Sequence, residues 1–418
     1  MQGELLGLAN TRIIKSRPIR ALCSFSLLFA LVFIFLAGSE VKASESGVFP
    51  DRIVFGQSGA FSGRTQKIAK SIASGIQAAF DEINSQGGVN GRRLELMSED
   101  DSYDPAMTKE ITQSFIDSNK IFAIIGSVGT PTGRVTAALA DQHQVPFIAP
   151  YTGADFLRNK QRYSTVVNLR PTYQQETKAW VEYLTRIGMN RIAVFYRDDA
   201  YGRNGLRGVV NELRKRDMLL AARGSHARNL TVTSSAVWEI RNSEPQAIGM
   251  ISSYAAASNF IRNIRLQGLN PIFINISAVG AQALIDELGE DAQGILVSAI
   301  IPSPHDQSLP LVAQFTKSMD NYERKNSLDS KSLHNYVSLE GYLAARFVIH
   351  VLQQIDDSEP TRKALLDYIF NTQKFDIGGV NLFFKEGENQ GLHKVYMTEI
   401  GKNNQIRTLD SIDMQDNR

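Results

Sequence analysis

The chain has 418 residues, of which 43% are hydrophobic and 21% charged, a balance typical of a folded protein with room for two domains. A formal net charge of +2 is too small for the basic footprint of a nucleic-acid-binding protein, so we expect no nucleic-acid partner. The single cysteine, Cys23, excludes a disulfide within one chain.

The first predicted element is an N-terminal export signal. Basic residues precede an apolar run at residues 21–38, and Val41 and Ala43 then supply the small-x-small pattern of signal-peptidase cleavage. We therefore predict a signal peptide at residues 1–43 and a periplasmic location for the mature protein. An uncleaved membrane anchor is the alternative, because an apolar run of this length could just span a thin bilayer.

From residue 52 onward, apolar runs of strand length alternate with segments of helical period. Ile68, Ile72, Ile76 and Phe80, for example, are spaced to share one helix face. The rhythm restarts near residue 172, so we predict an α/β fold with two lobes, each a doubly wound parallel sheet. The predicted strands are 53–56, 94–97, 121–125, 146–149, 192–196, 247–251 and 272–276, and the predicted helices are 68–83, 105–118, 132–142, 172–187, 202–214 and 255–267.

The C-terminal part departs from this rhythm. Residues 333–354 have the pattern of one long helix, and residues 375–384 and 394–400 look like strands of a hairpin or of a sheet edge. No low-complexity linker separates the two halves. We therefore expect a short hinge that the chain crosses more than once.

Residues 124–133, with the sequence IIGSVGTPTG, form a candidate ligand loop between a predicted strand and a predicted helix. Free backbone N–H groups and the helix dipole would stabilise an anion there, aided by the hydroxyl of Thr130. The loop lacks the lysine and the glycine spacing of a phosphate-binding loop. The local alternative is that Thr130 only caps the helix, with Pro131 at its first position.

The sequence offers little for metal binding or catalysis. Asp100, Asp101 and Asp104 lack calcium-loop spacing, and no two of the six histidines are three or four residues apart. No serine stands in a Gly-x-Ser-x-Gly motif. We expect no metal, no cofactor and no enzymatic activity.

Two tyrosines follow predicted strands of the second half. Tyr201 comes after strand 192–196 and Tyr254 after strand 247–251. Ligands of open parallel sheets bind beyond the carboxyl ends of the strands, and a tyrosine offers them apolar area with a polar tip. Ordinary packing at the end of a sheet is the alternative.

The chain resembles the leucine/isoleucine/valine-binding family, periplasmic solute-binding proteins of the type I fold that deliver ligands to ABC transporters. The resemblance spans roughly residues 51–400. It rests on segments that follow one another in the family's order: SGAFSG, GIQAAFDEINSQGGVNGRRLEL, EDDSYDP, IIGSVGTPTG, VPFIAPYTG, RIAVFYRDDAYGRNG and FIRNIRLQGLNPIFINISAVG.

The resemblance implies two lobes joined by three crossovers, with the ligand enclosed between them. It places lobe 1 at 51–169 plus 302–377 and lobe 2 at 170–301 plus 378–418. In family members that bind amino acids, lobe 1 grips the ligand carboxylate through hydroxyl and N–H groups, and lobe-2 aromatic residues close over the ligand. The positions that we match to ligand contacts are Ser62, Gly129, Thr130, Thr152, Tyr201, Tyr254 and Ser277.

The chain departs from the family in two ways. Many relatives have a disulfide between the segments matched here by Tyr103 and Gly129, and both cysteines are absent. Amino-acid binders have an acidic residue for the ligand ammonium where this chain has Ser277. Either another acid replaces it or the ligand is not an α-amino acid. The possible replacements are Asp155, Asp198 and Asp199.

The resemblance implies a receptor that is not an enzyme. It would bind a small carboxylate-bearing ligand, such as a branched-chain or other amino acid or a related organic acid, by hinge closure, and pass it to the membrane permease of an ABC importer. The alternative is a periplasmic ligand-sensing receptor that feeds a membrane kinase or chemoreceptor. An exported α/β enzyme is a third hypothesis, which the absence of a nucleophile-and-base pattern disfavours.

Overall fold

The computed structural model of the protein describes residues 45–328, 333–355 and 360–414, so the predicted signal peptide lies outside the described residues. No helix within these ranges has both the length and the apolar character needed to cross a membrane. The strands are β1 (Arg52–Gly59), β2 (Arg93–Asp100), β3 (Ala123–Ile125), β4 (Phe147–Ile148), β5 (Val166–Val167), β6 (Ile192–Arg197), β7 (Ala222–His226), β8 (Ala247–Ile251), β9 (Ile272–Asn275), β10 (Leu296–Ala299), β11 (Lys374–Ile377), β12 (Val380–Phe383), β13 (Lys394–Ile400) and β14 (Ile406–Asp413). The helices are α1 (Gln66–Ser85), α2 (Pro105–Asp117), α3 (Thr130–Gln142), α4 (Tyr173–Arg186), α5 (Ala200–Arg214), α6 (Ser234–Arg241), α7 (Tyr254–Leu266), α8 (Ala281–Leu288), α9 (Pro310–Lys325), α10 (Tyr336–Leu352) and α11 (Arg362–Thr372).

The first lobe is built on a parallel sheet with the strand order β2-β1-β3-β4-β5. Its strands are connected by helices, and the predicted apolar face of α1 is buried, with Ile76 and Phe80 fully inaccessible. The strand order reverses its direction between β1 and β3. Such a reversal opens a crevice at the carboxyl ends of the strands, because the chain leaves the two strands toward opposite faces.

The second lobe repeats this topology. Its parallel strands have the order β7-β6-β8-β9-β10. This is the same arrangement as β2-β1-β3-β4-β5 in the first sheet. The prediction of two α/β lobes with parallel sheets is confirmed. The second sheet is extended by β13 and β14, which run antiparallel beyond β10.

The C-terminal part contains both a hairpin and strands at a sheet edge, the two arrangements that the sequence left open. Strands β11 and β12 form an antiparallel hairpin, and β13 lies toward the edge of the second sheet, between β10 and β14. The long helix predicted at residues 333–354 is α10, which packs with α9 against α1 of the first lobe.

The chain passes between the two lobes three times, at residues 168–172, 300–309 and 384–393. Two of these crossovers pair with each other. Asn168 N–H donates to Asn389 O at 2.8 Å, and Leu392 N–H donates to Leu169 O at 2.8 Å. The hinge is therefore a short paired ribbon. The lobe limits given above stay a prediction, and the limit at 377/378 falls in the turn between β11 and β12.

Candidate functional site

A cavity of about 50 Å³ lies where the two strand-order reversals face each other. Its walls include residues at or beyond the carboxyl ends of β1, β2, β3 and β4 in the first lobe and of β6, β8 and β9 in the second. Both lobes thus offer the crevice in which open parallel sheets bind ligands. The lining residues used below are Thr65, Tyr103, Gly129, Thr130, Tyr151, Tyr173, Arg197, Tyr201, Ser252, Ser253 and Tyr254.

Four of the seven residues matched to ligand contacts line this cavity: Gly129, Thr130, Tyr201 and Tyr254. Thr152 and Ser62 lie beside the cavity, and Ser277 does not reach it. Thr152 is fully buried behind Thr130, whereas Ser62 lines an adjoining cavity of about 300 Å³ that shares Thr65, Arg197 and Ser253 with the first. Ser277 lines a separate small cavity. The ligand contacts of all seven stay a prediction.

The candidate loop presents the start of α3 to the cavity. The N-cap of this helix is Gly129 and its first residue is Thr130, so Thr130 does not cap the helix. The Thr130 hydroxyl lies 2.7 Å from that of Thr152, to which the Tyr173 hydroxyl donates at 3.2 Å. This chain of hydroxyls fixes Thr130 at the wall, and the start of α3 places the positive end of the helix dipole at the cavity.

The two positions matched to the family's disulfide lie side by side. A Cβ placed on Gly129 would come within 2.6 Å of Tyr103 Cε2 and 2.4 Å of Thr132 Oγ1. Gly129 also has a φ of 118° and a ψ of 155°, a conformation that is essentially restricted to glycine. The Tyr103 ring therefore packs on the bare backbone where relatives have a covalent link.

Arg197, at the end of β6, is the main site residue that the sequence analysis missed. Its side chain is in the cavity wall but only 5% of the residue is exposed. The guanidinium lies 4.4 Å from the ring centre of Tyr103 and 4.8 Å from that of Tyr201. Its Nη2 donates to the Tyr103 hydroxyl, and its Nε lies 2.8 Å from Asp199 Oδ2.

Arg197 remains charged in this setting. Burial lowers its pKa, but Tyr103 and Asp199 raise it more, so that the pKa of Arg197 is higher than usual. In the sequence its neighbours are Asp198 and Asp199, which were considered as possible partners of a ligand ammonium group. The available signal was its place directly after a buried strand that flanks a predicted crevice.

Tyrosines surround the cavity: Tyr103, Tyr151, Tyr173, Tyr201 and Tyr254. Burial raises the pKa of each of the Tyr103, Tyr151 and Tyr201 phenols far above neutrality, and it raises the pKa of Tyr254 to about 12. These phenols are therefore neutral hydrogen-bond donors. Their rings offer apolar area to the body of a ligand.

The aspartates considered for a metal site serve local structure instead. Asp104 caps α2 by accepting from Ala106 N–H at 2.7 Å. Asp101 is buried and accepts from the Ser58 hydroxyl at 2.6 Å. Asp100 accepts from the backbone N–H of Phe61 at 2.9 Å.

Ser277 belongs to a buried charge network next to the cavity. Its N–H donates to Glu176 Oε2 at 3.0 Å, and its hydroxyl accepts from Arg170. Arg170 also donates to Glu340 at 2.9 Å and lies 4.3 Å from the ring centre of Tyr151. Burial and the neighbouring Glu176 carboxylate raise the pKa of Glu340 to about 7, although Arg170 lowers it. Glu340 and Glu176 thus share one guanidinium.

Residues 52–405 match a protein-family model described as periplasmic binding protein. An amino acid binding protein of Pseudomonas aeruginosa is 24% identical over 274 residues, covering 64% of this chain and 70% of that protein. The Leu/Ile/Val-binding protein of Escherichia coli K12 is 21% identical over 273 residues, covering 65% and 73%. The crystal structure of a possible leucine/isoleucine/valine-binding protein from Rhodopirellula baltica has a TM-score of 0.80 at 30% identity, covering 88% of this chain and 98% of that one.

Proposed function

Because the chain belongs to the periplasmic binding protein family, we propose that it is the extracytoplasmic receptor of an ABC importer and binds a small carboxylate-bearing solute. The observation that carries the proposal is the cavity at the two facing crevices. One wall offers the hydroxyl of Thr130 and the start of α3, and the other offers aromatic rings and a buried cation. The two relatives named for amino-acid ligands favour an amino acid or a related organic acid.

Contacts between the lobes support binding by hinge closure. Arg64, which precedes α1, donates to the Thr231 hydroxyl of the second lobe at 2.7 Å. Lys67 of α1 lies 3.1 Å from Asp286 of α8. A ligand that touches both walls stabilises this closed arrangement, since only a difference in affinity between open and closed forms can shift their equilibrium. The closed form would then present a composite surface of both lobes to the permease.

We expect binding without turnover. Ser252 at the cavity wall donates to His226 Nε2 at 2.7 Å, because His226 Nδ1 is directed to two backbone carbonyls. Ser252 is 1% exposed, however, and burial and Arg197 lower the pKa of His226, so this pair offers a substrate little access. Recovery of intact leucine and intact 4-methylpentanoate after long incubation with the protein checks this expectation.

The Thr130→Ala/Thr152→Ala double variant tests the site. It removes the hydroxyl at the wall and the one that positions it, so calorimetric affinity for whichever of leucine and 4-methylpentanoate binds the unaltered protein should fall more than tenfold. Thr185→Ala is the control, because the Thr185 hydroxyl bonds only within α4. Unchanged affinity in the double variant would place the ligand elsewhere.

A cellular experiment tests the transport role. Deletion of the gene should abolish high-affinity uptake of the radiolabelled ligand, and the Thr130→Ala/Thr152→Ala gene should not restore it. Unchanged uptake with a lost kinase or chemotactic response would favour the sensing receptor instead.

A further inference from the structure

We propose that the ligand of this cavity is a small monocarboxylate without an ammonium group and that Arg197 Nη1 holds its carboxylate. This inference rests on the proposed function and narrows its ligand class. It follows from two features of the cavity: a buried cation with a free donor group, and the absence of a partner for a second cation.

The guanidinium of Arg197 has one nitrogen that is available as a hydrogen-bond donor. Its Nε faces Asp199 and its Nη2 donates to Tyr103, whereas Nη1 has no hydrogen-bond partner among the described residues. Asp199 is occupied on its other oxygen by the N–H groups of Tyr201 and Gly202 at the start of α5. A carboxylate is the acceptor that best satisfies the free donor of a guanidinium, because the hydrogen bonds between them are charge-assisted.

No acidic side chain is present among the described residues that line the cavity. The three aspartates that could have replaced the family's acid are engaged elsewhere. Asp155 accepts from Asn204 at 3.0 Å on the outer side of α5, and Asp198 pairs with the exposed Arg203 at 2.7 Å. Asp199 pairs with Arg197 itself.

The acids nearest to Ser277 are also committed. Glu176 accepts from Ser277 N–H and from the Ser298 hydroxyl, and Glu340 is bound by Arg170. An ammonium group in this cavity would lie beside Arg197 with no carboxylate of its own. Like charges at close range in a buried site repel strongly, so the cavity disfavours an α-amino acid.

Helix dipoles add to the preference for an anion. The helices α1, α3 and α7 start at the cavity, at Thr65, Gly129 and Ser253, and these three N-cap residues make no side-chain capping hydrogen bond. Their positive dipole ends therefore lie at the cavity and favour an anion there.

The test compares acids that differ only in the amino group. Isothermal titration of the purified protein would use 4-methylpentanoate against leucine and 3-phenylpropanoate against phenylalanine, within a panel of straight, branched and aromatic carboxylates. In each pair we expect the desamino acid to bind with at least tenfold higher affinity than the amino acid. Methyl 4-methylpentanoate, which has the same skeleton without the charge, should not bind.

Two variants test Arg197 itself. Arg197→Gln should weaken binding of the desamino acid at least tenfold, because a charged hydrogen bond is lost. Arg203→Gln is the matched control, since Arg203 is exposed and pairs with Asp198 outside the cavity. Arg197→Lys keeps the charge but lacks the planar, spread donors of a guanidinium, and we expect an intermediate affinity.

The outcomes separate this inference from the proposed function. Tighter binding of leucine or phenylalanine refutes the inference and leaves the proposed receptor role standing. No binding of any acid in the panel refutes the proposed function. Equal affinity of Arg197→Gln and the unaltered protein refutes the role of Arg197. If Arg197→Gln does not fold, as judged by circular dichroism, the amine and ester comparisons on the unaltered protein decide.

Discussion

Replacement of Gly129 by alanine should destabilise the protein far more than the same change at a glycine without close neighbours. Gly129 has a φ of 118° and a ψ of 155°, and strain of this kind costs about 1–3 kcal/mol for other residues. The added Cβ would also lie 2.6 Å from Tyr103 Cε2 and 2.4 Å from Thr132 Oγ1, an overpacking that costs about 1–3 kcal/mol more. We therefore expect a loss of about 2–6 kcal/mol.

Gly188→Ala is the matched control. Gly188 has a φ of +81°, but a Cβ there would meet no atom within 4 Å, so only the backbone strain of about 1–2 kcal/mol remains. Urea unfolding followed by circular dichroism compares the two variants with the unaltered protein. Equal losses would refute the reasoning, because they would mean that the Tyr103 ring does not rest on Gly129. A weaker affinity of Gly129→Ala for the bound acid should accompany its loss of stability, since Tyr103 positions Arg197.

Two further predictions concern the charge network and the lobe contacts. The pKa of Glu340 is about 7 in the folded protein against 4.5 for the free side chain, so its contribution to the free energy of unfolding is greatest below pH 4.5 and is lost as pH rises to about 7. Between pH 4.5 and pH 7 the free energy of unfolding of the unaltered protein should therefore fall by up to about 3 kcal/mol more than that of Glu340→Gln, as measured by urea titrations. If the free energies of unfolding of the two proteins changed in parallel with pH, the raised pKa of Glu340 would be contradicted. Lys67→Ala should weaken ligand binding by up to about fivefold, because it removes a half-exposed contact of the closed form, whereas Lys363→Ala, whose partner Asp367 lies on the same helix, should leave it unchanged. Calorimetry measures both, and an equal effect of the two lysines would rule out a contribution of Lys67 to closure.

The repeated strand and helix rhythm was sufficient to predict the fold. The predicted strands and helices up to residue 276 all occur, because buried parallel strands read as apolar runs and amphipathic helices repeat with their own period. The strands β5, β7, β10 and β14 were missed, as were the helices α6, α8, α9 and α11. Strands β5 and β10 are short, with two and four residues, and β7 and β14 lie at sheet edges where polar side chains replace the apolar run. The resemblance to the leucine/isoleucine/valine-binding family is confirmed by the family model and the relatives.

The location of the cavity was predictable, but its charge was not. Tyr201 and Tyr254 were found because they follow parallel strands, a relation that the sequence carries directly. Arg197 acquires its role only when the ends of β6 and β2 bring it against Tyr103, which is distant in sequence, and Tyr173 reaches the cavity from α4 across a crossover. Such contacts between lobes leave no short-range pattern.

The two departures from the family have a common physical consequence. Tyr103, at a position where relatives have a cysteine, provides both the ring and the hydroxyl that hold Arg197 in the wall. Ser277, where amino-acid binders have an acid, supplies no carboxylate beside the cavity, and its hydroxyl accepts from Arg170. The first change holds a positive charge in place at the wall, and the second removes a negative charge from its neighbourhood. Because both act in the same direction, a reversal of either alone gives a sharp expectation. Ser277→Glu would place a third carboxylate beside Arg170 and should therefore weaken the binding of a simple carboxylate. Tyr103→Phe would release Nη2 of Arg197 and should shift the position of Arg197 without removing its charge.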